Sequence, residues 1–271
     1  MNRSGIVTLL SDFGLRDPYV AEMKAVILSI CPGVTIVDIS HEIRKFDVRM
    51  GAFILAQATP YFPDKTVHLA VVDPGVGTKR RPIVVETNRN LYVGPDNGLL
   101  MLSAHTQEVN RIHEIANPKY MLKSISTTFH GRDVFSPAAA HLANGVPPSD
   151  FGPEIRDPVT PSFAKPVSQN GETRGEVIYI DSFGNIITNI TMKDTTQIGV
   201  RKGGTLLLRL KGKDVTLRLC TAYGEVPPST PLMVFGGSGF LEVSVNQGDA
   251  SRCFNVELGD AVILRAPSKI S

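Results

Sequence analysis

Helical periodicity stops partway along this 271-residue chain. Up to about residue 152, segments with apolar residues at helical spacing alternate with short β-type runs. Beyond it only short β-type runs remain, each closed by turn residues. A chain patterned this way cannot build one uniform fold. Strand–helix–strand order demands a sheet covered by helices, and a succession of short strands demands a barrel or a sandwich.

In the first part, Gly5 to Leu10, Val34 to Ile39 and Val67 to Val72 read as strands. Tyr19 to Ile30, stopped by Pro32-Gly33, and Val48 to Thr59, bounded by Pro60, read as helices. Ile83 to Glu86 and Leu91 to Val93 read as a hairpin around Asn88-Arg89-Asn90. Asp133 to Asn144 is an alanine-rich helix ended by Gly145 and Pro147-Pro148. The expectation is an α/β domain over residues 1–157, with a mixed, partly parallel sheet flanked by helices. Residues 158–174, rich in Pro, Ser and Gly, read as a linker. Residues 175–271 read as a smaller all-β domain. Its strands are Glu176 to Ile180, Ile186 to Thr191, Thr205 to Leu210, Val215 to Leu219, Leu232 to Phe235, Leu241 to Val245 and Ala261 to Arg265. Lys211-Gly212-Lys213-Asp214 is one of the turns between them.

Bulk properties exclude some functions. A formal charge of +2 argues for neither nucleic acid nor membrane partners. The apolar run near the start is too short for a signal peptide or a membrane span. Cys31, Cys220 and Cys253 have no zinc-ligand spacing, and an odd count does not suggest a disulfide framework. A reducing cytoplasm is the expected location.

The chemistry-bearing stretches sit where strands end. Val67 to Val72 runs into Asp73-Pro74-Gly75-Val76-Gly77, a forced turn that delivers Arg80 and Arg81 behind the acid. Ligands of open α/β sheets bind beyond the carboxyl ends of strands, so Asp73 is a candidate; a turn acid beside a basic run is the plainer alternative. Ser11-Asp12-Phe13-Gly14 ends the first strand likewise. Asp12 could accept ribose hydroxyls, hold a metal, or cap the helix after Asp17-Pro18. Its Asp-Phe-Gly matches a kinase magnesium motif, but the rest of that set is absent, and Gly75 to Lys79 lacks P-loop spacing. His130 lies in Phe129-His130-Gly131-Arg132-Asp133, ahead of the alanine-rich helix, where the helix dipole favours neutral imidazole; a structural histidine is the alternative. Gly94-Pro95-Asp96-Asn97-Gly98 is a turn at the same edge or a mere connection. Asp181-Ser182-Phe183-Gly184-Asn185 offers a carboxylate, an aromatic face and an amide, or a hairpin turn and nothing more. Gly236-Gly237-Ser238-Gly239-Phe240-Leu241-Glu242 is a flexible turn whose backbone could approach a ligand, or a plain β connection.

These stretches, with Thr188-Asn189 and Ser238 to Asn246, occur in one order over nearly the whole chain. In that order they resemble the S-adenosylmethionine hydroxide adenosyltransferase family, relatives of the fluorinating and chlorinating enzymes. The resemblance implies an α/β domain followed by a β-barrel. It also implies a homotrimer with each site between the N-terminal domain of one subunit and the C-terminal domain of its neighbour. The implied reaction is S-adenosylmethionine plus water giving adenosine and methionine, with no metal and no cofactor; adenosine can remain bound on purification. The family's water site maps onto Asp73, Arg80 and His130. Asp12 would hold the ribose, and Phe129 would contact substrate nearby. Phe183 and Asn185 would meet adenine or ribose, Asp181 the methionine ammonium, and Ser238, Glu242 and the Val245 backbone the remaining contacts.

Two alternatives stand beside this reading. One is a halide-dependent adenosyltransferase. The resemblance places Tyr-Gly or Tyr-Ser in that branch where this chain has His130-Gly131, and a tryptophan in the fluorinases, whereas this chain has none. A halide site also avoids a carboxylate such as Asp73. The other is a protein that binds S-adenosylmethionine or adenosine without turnover.

Overall fold

The structure, a computed structural model, describes residues 5–160, 165–199 and 203–266. The chain divides into two compact units at about residue 161.

The first unit contains β1 (Ile6–Ser11), α1 (Tyr19–Ile30), β2 (Thr35–Ser40), α2 (Val48–Ala58), β3 (Val67–Val71), β4 (Pro82–Thr87), β5 (Leu91–Pro95), α3 (Met101–His105), β6 (Val109–Glu114) and α4 (Ser136–Ala143). The strands form one sheet in the order β2-β1-β3-β5-β4-β6. Pairs among β2, β1, β3 and β5 are parallel, and β4 pairs antiparallel with β5 and β6. The central strands are mostly apolar on both faces because helices cover both; buried Thr8 and His68 are exceptions that hydrogen-bond to each other at 2.8 Å. Val7, Leu9 and Leu69 pack with Met23 and Ile27 of α1 and with Ala138 and Leu142 of α4. Leu10, Ala70 and Val72 pack against Leu55 of α2 and against Leu99 and Leu100. Each such large apolar side chain contributes roughly 1.5–3 kcal/mol on burial. The parallel register pairs Ser11 with Val71, so the residues that follow, Asp12 and Asp73, emerge together at the carboxyl edge.

The second unit contains β7 (Val167–Gln169), β8 (Glu172–Ile180), β9 (Ile186–Thr191), β10 (Thr205–Leu210), β11 (Lys213–Arg218), β12 (Pro231–Phe235), β13 (Phe240–Val245), α5 (Ala250–Phe254) and β14 (Ala261–Arg265). Its antiparallel strands run in the order β11-β10-β14-β8-β9-β13-β12, with β7 on β8. β8 turns the corner of this sheet. It pairs with β14 up to Glu176 and with β9 from Val177. Gly175 permits the bend, since a Cβ there would lie 2.3 Å from Asn189 Oδ1, which accepts instead from Glu176 N at 2.8 Å. Just past β11, Leu219 bridges to Met233 of β12 and brings the outer strands together into a nearly closed barrel. Its core includes Val177, Ile186, Leu208, Leu241, Val243 and Leu264.

Some elements differ from expectation. Val167–Gln169 and the start of β8 form a hairpin inside the stretch read as linker, of which residues 161–164 lie outside the described residues. The turn at Lys211 shrinks to Lys211-Gly212, both at positive φ (49° and 75°), which matches the twist of a two-residue hairpin. The alanine-rich helix is preceded by a π-helical turn over Gly131–Phe135. Short α3 and α5 and the edge strand β6 carry too little periodicity to be read. Among the described residues no helix is long and apolar enough to cross a membrane.

Candidate active site

The loop after β3 folds back through Gly77, at φ 75°, close against the chain before His130. A Cβ on Gly77 would lie 2.4 Å from the Thr127 carbonyl oxygen. That approach brings together the three residues expected to hold water. Arg80 Nε donates to Asp73 Oδ1 at 3.1 Å and Arg80 Nη2 donates to Asp73 Oδ2. The same Nη2 lies 3.2 Å from His130 Nδ1. Side-chain exposure is only 7% for Arg80 and 5% for Asp73, so the pair is shielded from water screening. The Arg80 guanidinium also sits over the Phe135 ring, 5.2 Å from its centroid. Exit from β3 is braced separately. Asn97 Nδ2 donates to Val72 O at 2.8 Å, and buried Asp96 accepts from Arg81.

Protons can be assigned from donor inventory. Arginine only donates, so His130 Nδ1 accepts, and the neutral ring carries its hydrogen on Nε2. Burial and then the Arg80 charge push the His130 imidazolium below its usual range, against the opposing pull of Asp73 and Asp133. The ring is therefore neutral near pH 7. The π turn that follows it is stitched by Ser136 Oγ donating to Gly131 O at 2.7 Å and by fully buried Asp133 accepting from Ser126 N at 2.8 Å.

Asp73 and His130 face a cavity of about 360 Å³ at the carboxyl edge, lined also by Asp12 and Phe129. Phe129 meets Phe13 and Tyr19 edge-on, with centroids 5.7 and 5.3 Å apart, and makes one wall. Asp12 does not cap α1, whose first turn has no side-chain cap. Its Oδ2 instead accepts from Phe46 N at 2.9 Å. Tyr19, Lys45 and Phe46 also line this cavity, and no sequence motif marks them. Among the described residues no group of three or more His, Cys, Asp or Glu side chains is arranged to hold a metal ion.

The second unit has its own cavity, about 720 Å³, lined by Asp181, Phe183, Asn185 and Val245 together with Tyr223 and Asp249. Asp181 Oδ1 accepts from the main-chain N of Phe183 and Asn185, both at 2.9 Å, and its Oδ2 from Asn185 Nδ2 at 2.8 Å. The motif is thus a carboxylate-ordered turn as well as a cavity wall. Gly184, at φ 83°, lies where a Cβ would fall 2.2 Å from Asp249 Oδ1. Ser238 and Glu242 are not among the lining residues. Ser238 Oγ accepts from Phe240 N at 3.4 Å within its own turn. Glu242 is buried on β13, fills the space beside Gly236, and accepts from Tyr223 OH at 2.8 Å. Burial raises the Glu242 carboxyl, and burial with the Glu242 contact pushes Tyr223 up to about 12. Glu242 therefore reaches the cavity through Tyr223, a residue that sequence reasoning missed because it stands in no motif.

A carboxylate, a guanidinium and a neutral imidazole locked together at a strand-edge cavity are groups suited to handling protons, as in enzymes that act on small molecules. Models of the SAM hydroxide adenosyltransferase N-terminal and C-terminal domains match residues 7–152 and 175–263. A relative from Thermus thermophilus, "(R)-S-adenosyl-L-methionine hydrolase", is 42% identical over 95% of this chain and 98% of its own. A fluorinase from Actinoplanes sp. is more distant, 28% identical over 95% of this chain and 96% of its own. The crystal structure of an uncharacterized conserved protein from Thermotoga maritima superposes with a TM-score of 0.92 at 39% identity, covering 96% of this chain and 99% of that one. The chain belongs to the SAM hydroxide adenosyltransferase family.

Proposed function

We propose that the protein is an S-adenosyl-L-methionine hydrolase acting on the (R)-sulfonium form and releasing adenosine and L-methionine. The observation that carries this reading is the interlocked Asp73–Arg80–His130 cluster in a chain related over 95% of its length to a protein named for that reaction. The substrate's sulfonium makes methionine a good neutral leaving group, so the chemistry needs no cofactor. What water lacks is position. Asp73, oriented by Arg80, keeps lone pairs to accept a proton from water. His130 Nε2–H donates to the water oxygen and holds it in line behind C5′. The new O–C5′ bond forms as the C5′–S bond breaks and its electron pair leaves with methionine. Since Nδ1 of His130 is occupied by Arg80, the proton goes to Asp73 and on to solvent. Orientation of this kind can contribute several kcal/mol of the roughly 7–11 available from positioning. Asp12 takes the ribose hydroxyls. Phe183, Asn185 and Asp181 bind the adenosine and amino-acid ends, with Ser238, Glu242 and the Val245 backbone in support.

The assembly we propose is a homotrimer in which the strand-edge cavity of one subunit works with the barrel cavity of a neighbour. Support comes from the presence of a separate cavity in each unit and from Phe183, which is 77% exposed at the second of them. Mixing an Asp73→Ala chain with an Asn185→Ala chain, at a substrate concentration too low for either alone to turn over, should restore part of the activity. No recovery despite proven subunit exchange would place each site within one chain. The reaction itself is tested by incubating chelator-dialysed protein with the (R) substrate. Adenosine and methionine without added halide support hydrolysis. A requirement for halide would make it a halogenating enzyme, and intact substrate a binding protein.

A further inference from the structure

The segment between β2 and α2 runs beside the Asp12 loop and is tied to it along its length. Gly14 N donates to His41 O at 2.8 Å, and Ser11 Oγ lies 2.7 Å from His41 Nδ1. Two further contacts converge on Asp12 itself. Lys45 Nζ donates to the Asp12 main-chain carbonyl, and Phe46 N donates to Asp12 Oδ2 at 2.9 Å. Phe46 stands at φ 65°, a region that residues with a Cβ avoid. The next residue, Asp47, is fixed as the cap of α2 by accepting from Met50 N at 3.0 Å. A strained residue thus sits between a helix cap and a two-point grip on one carboxylate residue. Such strain persists only where its surroundings over-determine it.

We propose that Lys45 is a positioning residue of the site: by holding the Asp12 carbonyl it fixes the Asp12 carboxylate in the orientation that receives the ribose hydroxyls. A lysine resting on a carbonyl is often incidental. Here Lys45 lines the same cavity as the Asp12 it grips, and its neighbour in sequence holds the Asp12 carboxylate directly. The inference rests on the ribose role given to Asp12 under the hydrolase reading.

The test measures binding of adenosine and of 2′,3′-dideoxyadenosine by calorimetry to the full-length protein and its variants. Lys45→Met should weaken adenosine about tenfold and leave the dideoxy ligand unchanged, and in an Asp12→Ala background the same change should cost nothing further. Lys45→Arg, which restores a cationic donor, should recover most of the loss, and serves if Lys45→Met fails to fold. Equal losses for both ligands, persistence of the loss without Asp12, or no loss at all overturns the proposal. A wild-type protein that hydrolyses the substrate and still binds the two ligands equally overturns the ribose role of Asp12 and the proposal together. Absence of hydrolysis with ribose selectivity intact overturns only the enzymatic reading.

Discussion

At the strand edge, Asp73 and Arg80 are almost wholly buried and tied to His130 through one guanidinium. At the end of the barrel, Phe183 is 77% exposed on a turn ordered by Asp181. Both cavities are lined by side chains of the same general kind, carboxylate, aromatic and a polar nitrogen. They differ in what holds those side chains. The first set is fixed by groups that do not face the cavity at all: Arg80 behind Asp73, Asn97 on the β3 exit, and Gly77 against Thr127. The second is fixed by its own turn, with its aromatic face left to solvent. Groups that react must be placed before substrate arrives, because reorganisation during the reaction raises the barrier. Groups that only bind can take their final contacts from the ligand.

That contrast predicts different kinetic signatures. The largest effect is expected at the first region. Asp73→Asn should lower kcat by about a hundredfold or more with little change in KM, as loss of a positioned proton acceptor does. Arg80→Ala combined with His130→Ala should be little worse than the poorer single variant, because the three residues act as a unit. Single variants with unchanged turnover, measured under saturating substrate, would reduce Asp73 to a turn acid. A smaller effect of the opposite type is expected at the second region. Phe183→Ala should raise KM about tenfold and leave kcat within about twofold, since a stacking face binds ground and transition states alike. A fall in kcat at constant KM would erase the distinction between the two regions.

Much of this was legible from residues alone, for identifiable reasons. Strands β1 and β3 are mostly apolar and the chain runs on from each into an acid, so Asp12 and Asp73 announce themselves. α1 follows its apolar spacing from Tyr19 to Ile30. His130 was marked by Gly131 and the alanine-rich helix beyond it. By contrast, Val109–Glu114 is an edge strand in which polar and charged residues outnumber apolar ones, and Val167–Gln169 pairs within a polar stretch. A π turn changes hydrogen-bond register without changing side-chain spacing enough to be seen. Lys45, Phe46 and Tyr223 reach their cavities through tertiary folding and stand in no spaced motif. A positive φ at Phe46 has no trace in the sequence, because phenylalanine is not a residue that favours it. Glu242, a substrate contact that the resemblance implies, lies on β13 and meets the barrel cavity through Tyr223.

The central claim is that the cluster at the strand edge directs a water molecule onto C5′. It is tested most directly by running the reaction with the (R) substrate in heavy-oxygen water and analysing both products by mass spectrometry. Attack at C5′ forms the new bond between that carbon and the water oxygen, so the label should appear in the 5′-hydroxyl of adenosine and nowhere in methionine. Adenosine formed without label would contradict the account, because the oxygen would then have come from somewhere other than the water that Asp73 and His130 are placed to hold.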